Sequence, residues 1–109
     1  MNLKGSKINF LGDSITEGHG TSATEKRFTD LVAQRYGAEC RNYGIGGTRI
    51  ALQHTPSAEP IWDQNFSSRV DGMNPDADAI VVFGGTNDFG HGDAPLGKME
   101  DRTADTFYG

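Results

Sequence analysis

The chain has 109 residues, a net charge of −5, 35% apolar residues and 15 glycines. That length suits one domain and no more, and counting the glycines brings the apolar content to a normal value for an ordered, loop-rich fold. No run of Lys or Arg exceeds two, so the clustered basic footprint of a nucleic-acid binder is missing, and no segment approaches the roughly 20 apolar residues that span a bilayer.

The N-terminal stretch Met1 to Gly12 lacks the apolar segment of about 7–15 residues that marks a secretory leader. Cytoplasm is therefore the default location, with secretion requiring a leader already removed. Lys7 to Leu11 reads as a first strand that stops at Gly12-Asp13. Ser22-Ala23-Thr24-Glu25 fits a capping box in which Ser22 and Glu25 satisfy each other's backbone N–H groups. Phe28, Leu31, Val32 and Tyr36 then recur at helical spacing, and Gly37 is placed to end that helix. Ala38 to Ile45 holds a second strand, with Cys40 as a small buried hydrophobe. Cys40 is the single cysteine, which excludes an internal disulfide framework.

A polar loop through Gln53-His54-Thr55-Pro56 leads to a second helix, opened by Pro60, in which Trp62, Phe66 and Val70 share one face until Asn74-Pro75. Ala77 to Phe83 is the most apolar stretch and lacks alternation from Ala79 onward. A parallel strand covered on both faces reads that way. Asn87 to Asp105 is loop-like, and Thr103 or Asp105 is placed to cap a further helix. The order β-α-β-α-β predicts an α/β fold with a parallel sheet and right-handed crossovers.

Ligands and catalysts gather at the carboxyl ends of such strands, and each strand here ends in a polar, glycine-rich motif. These are Gly12-Asp13-Ser14-Ile15-Thr16, Asn42-Tyr43-Gly44-Ile45-Gly46-Gly47-Thr48 and Gly84-Gly85-Thr86-Asn87-Asp88. Acyl transfer needs a hydroxyl nucleophile and donors aimed at a developing oxyanion. Ser14 offers the hydroxyl, while Gly47 (backbone N–H), Asn87 (side-chain amide) and the N–H of Ser14 offer the donors; Asp13, Gly46 and Asp88 stand beside them as supporting residues. Taken singly, each motif is an ordinary turn: Gly-Asp-Ser is common, Gly-x-Gly-Gly can be a tight βα connection, and Asn87-Asp88 an Asx-turn. Their joint occurrence after three successive strands favours the catalytic reading.

Here the sequence resembles the SGNH or GDSL hydrolases, a family of esterases, acyl hydrolases and carbohydrate deacetylases. The resemblance covers nearly the whole chain in order. Phe10 to Gly18 looks like the family's first block, implying Ser14 as nucleophile; Asn42 to Thr48 and Gly84 to Asp88 resemble the second and third, implying Gly47 and Asn87 as oxyanion donors. The implied fold is a flavodoxin-like three-layer α/β/α sandwich, of which residues 1–109 form the N-terminal β-α-β-α-β portion. The implied activity is hydrolysis of a small-molecule ester, acyl or acetyl, on a carbohydrate or lipid. No cofactor and no metal is implied.

The family's last block, Asp-x-x-His, has no separate counterpart after the third block. His19 and His54 follow Thr16 and Ala51 at that spacing, while Asp88-Phe89-Gly90-His91 has the spacing but begins inside the third block. His19 reads as a surface or pocket-lining residue, His54 as solvated, and His91 as within reach of the rim. The base and its orienting carboxylate are therefore expected from a missing C-terminal segment or a second polypeptide. In a sheet ordered 2-1-3-4-5 the third strand is central, so residues 77–83 should present an apolar edge on which that segment, or a second copy, docks. Rival readings fare worse. Gly44-x-Gly46 meets Arg49 where the dinucleotide fingerprint needs Gly, and no Gly-Lys-Ser/Thr follows a glycine loop. No His-x-x-x-His or Cys-x-x-Cys spacing exists for a metal. A catalytically inactive binding or scaffold protein is the alternative that the missing His supports.

Overall fold

A computed structural model describes residues 3–109. They form two compact units, the first made of residues 3–46 and 73–83, the second of 47–72 and 84–109.

The first unit is built on a parallel sheet of β1 (Lys7–Gly12), β2 (Glu39–Gly44) and β3 (Ala79–Phe83), in the order β2-β1-β3. This is the expected α/β arrangement, with β1 in the middle. Its central place explains its burial: Ile8 to Gly12 are all buried, and Ile8 and Phe10 form the core with Ala38, Leu3, Cys40 and Ala79. Asn9 is fully enclosed and polar. Its amide N–H donates to the Asn74 carbonyl at 2.8 Å and its Oδ1 accepts from Arg41 at 3.3 Å, so the buried group is satisfied. Burial, with the charge of Asp30 second, pushes the Cys40 thiol up, consistent with an inert packing residue.

Between β1 and β2 lie α1 (Ser14–Glu17), a short 3₁₀ turn (Thr24–Lys26) and α2 (Phe28–Tyr36). Gly37 ends α2 in the left-handed region at φ 69°, its N–H donating to Ala33 at 2.9 Å, as expected. The capping box does not form. The 3₁₀ turn intervenes, and Arg27, extended at ψ 148°, precedes α2 without a side-chain cap. The apolar stripe of α2 is also less buried than its spacing suggests. Phe28 stacks edge-on to Phe10 and Phe83 at 5.6 and 6.1 Å, but Leu31 and Tyr36 stay half exposed.

The expectation that β3 is covered on both faces does not hold in this chain. Ile80 and Val82 on one face are 55% and 57% exposed, and Val81 and Phe83 on the other 40% and 49%. β3 pairs with β1 along one side, and among the described residues no strand pairs with its other side.

The second unit has little regular structure. Arg49 and Asn65 form an isolated parallel bridge, with Phe66 N–H donating to the Arg49 carbonyl at 2.9 Å. That bridge divides the single helix expected after Pro60. A 3₁₀ turn (Pro60–Asp63) gives way to extended backbone at Gln64 and Asn65, before α3 (Phe66–Arg69) and a last 3₁₀ turn (Val70–Gly72). Of the expected apolar face only Phe66 is buried; Trp62 and Val70 are exposed. A helix, α4 (Thr86–Gly90), stands where the sequence pattern predicts a loop. Gly85, at φ 112°, turns the chain into it, a conformation that favours glycine. Residues 103 and 105 cap no helix and lie in turns.

Candidate functional site

The first unit holds Asp13, Ser14 and Gly46; the second holds Gly47, Asn87 and Asp88. Ser14 is the first residue of α1, directly beyond the central strand, and is half-buried. Asp13 before it is buried and caps the helix, its Oδ1 accepting the Ile15 N–H at 3.0 Å. Its Oδ2 is buried with no hydrogen-bond partner among the described residues. The turn is tight because Gly12 has no side chain: a Cβ there would collide with Thr16 and lie 2.9 Å from the Phe83 carbonyl.

The end of β2 packs onto this turn. Asn42 donates to the Thr16 carbonyl at 2.6 Å and to Thr29 Oγ1 at 2.9 Å, and its Oδ1 accepts the Gly44 N–H. A Cβ on Gly44 would enter the backbone of Glu17, lying 2.8 Å from its Cα. Gly46 follows beside Ser14, where a Cβ would be 3.7 Å from the Ser14 Cβ. Its N–H donates to Glu17 Oε2 at 3.0 Å, and Glu17 Oε1 meets His19 Nε2 at 2.7 Å. The sequence motifs do not mark Glu17 and His19 as partners of the glycine loop. Residue spacing puts a carboxylate near Ser14 without telling which N–H it reaches.

In the second unit Gly47 lies in a turn at φ 79°, with the Trp62 ring against its Cα. Among the described residues no acceptor takes its N–H. Asn87, in the first turn of α4, is buried, and its Nδ2 donates to the Thr48 carbonyl at 2.9 Å. A carbonyl only accepts, so this bond fixes which end of the amide is nitrogen and leaves its second N–H for another acceptor. Asp88 has a structural role, its carboxylate accepting the N–H groups of Ile50 and Ala51, each at 2.9 Å. Arg49 is a buried residue that the motifs do not single out. Its guanidinium donates to the Trp62 carbonyl at 2.8 Å and pairs with Asp63 at 3.7 Å, bracing the stretch after Gly47. Beside α4 lies a hollow of about 350 Å³, lined by Gly85, Asp88, Phe89, Ala94, Leu96 and Phe107.

Of the other histidines, His54 is exposed, and its ring donates from Nε2 to the Asp105 carbonyl at 2.9 Å. Asp93 accepts the His54 N–H at 2.7 Å and the Thr55 N–H at 2.6 Å, and these bonds, His54 foremost, hold its carboxyl below the usual range. His91 is exposed and closes α4, its N–H donating to the Asn87 carbonyl at 2.8 Å. Among the described residues no three His, Cys, Asp or Glu side chains cluster as a metal site, and no helix is long and apolar enough to cross a membrane.

A model of the GDSL-like lipase/acylhydrolase family matches residues 10–104. One solved crystal structure is 35% identical, with a TM-score of 0.81 over 99% of this chain and 48% of the other. A protein from Lactobacillus plantarum is 33% identical, with a TM-score of 0.74 over 97% of this chain and 46% of that one. A carbohydrate acetylesterase family member from Sinorhizobium meliloti shares the fold at 22% identity, with a TM-score of 0.60 over 77% of this chain and 43% of that one. This chain therefore spans about half the length of the solved structures it matches. No curated protein sequence matches it significantly.

Proposed function

This chain belongs to the GDSL-like lipase/acylhydrolase family, and on that premise we propose that it supplies the nucleophile and oxyanion donors for serine-dependent hydrolysis of an ester through an acyl-enzyme. The observation that carries the proposal is Ser14, half-buried in a tight turn at the end of the central strand, with Asp13 locked beneath it. Ser14 Oγ attacks the ester carbonyl, forming the carbon–oxygen bond as its proton passes to a base. The carbonyl oxygen takes the negative charge, stabilised by the N–H groups of Ser14, Gly47 and Asn87. Collapse expels the alcohol, and water then releases the acid from Ser14. Gly46 is not the loop donor in this reading, because its N–H is already given to Glu17. Asn87 suits its role because one amide N–H is anchored on Thr48. The hollow beside α4 has the size of a small ligand site. An acetyl or longer acyl ester on a carbohydrate or lipid is the substrate class; the Sinorhizobium meliloti protein's name points to acetyl esters of carbohydrates.

The base comes from outside residues 1–109, because in Asp88-Phe89-Gly90-His91 the Asp88 carboxylate accepts the Ile50 and Ala51 N–H groups and His91 is exposed. A serine hydroxyl without an adjacent base is a weak nucleophile at neutral pH. A C-terminal continuation, or a second polypeptide, supplies His and Asp and pairs with the open side of β3, covering Ile80 to Phe83. The test compares residues 1–109 alone with the chain joined to its complement. The measurements are turnover of an acetyl ester and labelling by a fluorophosphonate, with intact mass locating the adduct. The pair should turn over the ester and be labelled at Ser14. The chain alone should keep only donor-based catalysis, about 10³–10⁴-fold over water. Full activity from the chain alone would place the base among His19, His54 and His91, and no labelling in either form would favour the inactive scaffold.

A further inference from the structure

We infer that Glu17 is a positioning residue for the oxyanion loop, holding the glycine turn after β2 against the nucleophile, with His19 fixing the carboxylate in that pose. The inference rests on the acyl-transfer reading above. Its geometry lies within the first unit. Glu17 ends α1, the helix that Ser14 begins, so its backbone moves with the nucleophile. Each carboxylate oxygen has a different partner: Oε2 accepts the Gly46 N–H at 3.0 Å, and Oε1 meets His19 Nε2 at 2.7 Å. Two contacts from two oxygens set the plane of the carboxylate, which one contact would leave free to rotate.

His19 is held in turn. Its N–H donates to the Ser14 carbonyl at 3.0 Å, and its ring covers Gly46, where a Cβ would lie 3.3 Å from Nε2. Taken alone, Glu17 and His19 would be a half-exposed surface pair of small worth. What distinguishes them is that the second oxygen grips the main chain one residue before Gly47. The Gly46–Gly47 peptide carries the N–H assigned to the oxyanion, and glycines on both sides leave its orientation otherwise soft. Anchoring Gly46 on the nucleophile helix converts that soft peptide into a preorganised donor.

The test uses the complete enzyme with Glu17→Ala, Glu17→Gln and His19→Ala, read by kcat and KM on an acetyl ester, fluorophosphonate labelling of Ser14, and hydrogen exchange at the Gly46 amide. Misplacement on the ångström scale costs up to about 10²-fold. Glu17→Ala should therefore lower kcat by about 10- to 100-fold, leave KM unchanged and speed exchange at Gly46. A fall in kcat at unchanged KM, with the fluorophosphonate labelling every Ser14 to completion, marks an interaction made in the transition state, whereas a merely structural role would lower the fraction labelled. Glu17→Gln should restore most of the rate, since its carbonyl still accepts from Gly46 and its amide can donate to a neutral His19. His19→Ala, at an exposed position, should lie between the two and stands in if Glu17→Ala does not fold. Wild-type kcat in folded Glu17→Ala, or in His19→Ala together with unchanged Gly46 exchange, overturns the inference. A wild-type enzyme that never labels at Ser14 removes the acyl-transfer reading, and this role with it.

Discussion

Replacing Asn87 separates its part in the fold from the part in the reaction proposed for it. The side chain is buried, and its Nδ2 donates to the Thr48 carbonyl at 2.9 Å. Asn87→Ala removes that bond, about 0.5–1.5 kcal/mol, and takes a donor from a carbonyl that is then costlier to keep from water, about 1–3 kcal/mol. Asn87→Asp keeps the shape but sets a carboxylate oxygen where the N–H was, facing a carbonyl oxygen at hydrogen-bond distance, so it should be the less stable of the two. Loss of one oxyanion donor costs about 10²–10³ in kcat, or about 2.7–4 kcal/mol. The two costs fall on different measurements. Urea unfolding reads the first, and kcat on an acetyl ester, taken where every variant is folded, reads the second. The reasoning predicts that both variants lose kcat by that factor at nearly constant KM. A folded Asn87→Ala with wild-type kcat would show that the second amide N–H meets no developing charge, and the assignment of Asn87 would be wrong.

Other substitutions test other links. Ser14→Ala in the complete enzyme should abolish the acyl-enzyme, seen as loss of the probe adduct by mass. His54→Ala should leave turnover unchanged, because its ring is exposed and turned to Asp105; damage equal to that of Ser14→Ala would make His54 the base. Gly44→Ala should cost about 1–3 kcal/mol in urea unfolding, since its methyl meets the Glu17 backbone, and an unchanged midpoint would refute that close approach. The hydrogen bond from Arg41, then that from Lys7, holds the Asp76 carboxyl below its ordinary range. A carboxyl depressed in the folded state stabilises above its unfolded pKa and loses that contribution as pH falls through the folded value. The stability gap between wild type and Asp76→Asn should thus be constant near neutrality and shrink below about pH 4. A gap that widened on acidification would reverse the assigned sign.

Local patterns carry the strands, the parallel order and the end of α2. β1 is an apolar run between turn residues, and Gly37 caps by a backbone geometry that needs no tertiary partner. What the pattern misses depends on contacts distant in sequence. Asn65 leaves the expected helix because it bridges Arg49, which no spacing within residues 60–70 reveals. The Ser22 to Glu25 box gives way to a 3₁₀ turn, and Arg27 bonds instead to Asp30 at 2.7 Å and to the Glu17 carbonyl at 3.4 Å. The apolar run of β3 speaks of coverage that this chain does not itself provide. Motif order picks out Ser14, Gly47 and Asn87, but the bonds from Glu17 to Gly46 and from Asn87 to Thr48 need the folded chain.

Placing β1 at the centre of the sheet also orders events in time. Its partners are far away along the chain: the Arg41–Asn9 bond spans 32 residues and the Lys7–Asp78 bond 71. Loops of that length close at an entropic cost that must be met before the contacts reward it, and synthesis delivers β2 well before β3 at about 5–20 residues per second. For several seconds a nascent chain can hold β1 against β2 alone, with the other side of β1 unpaired. The turn around Ser14 is unfinished in that interval, because the Phe83 carbonyl that crowds Gly12 has not arrived. Ser14 acquires its native setting only when β3 docks, so the turn that holds it matures late although its residues are made first.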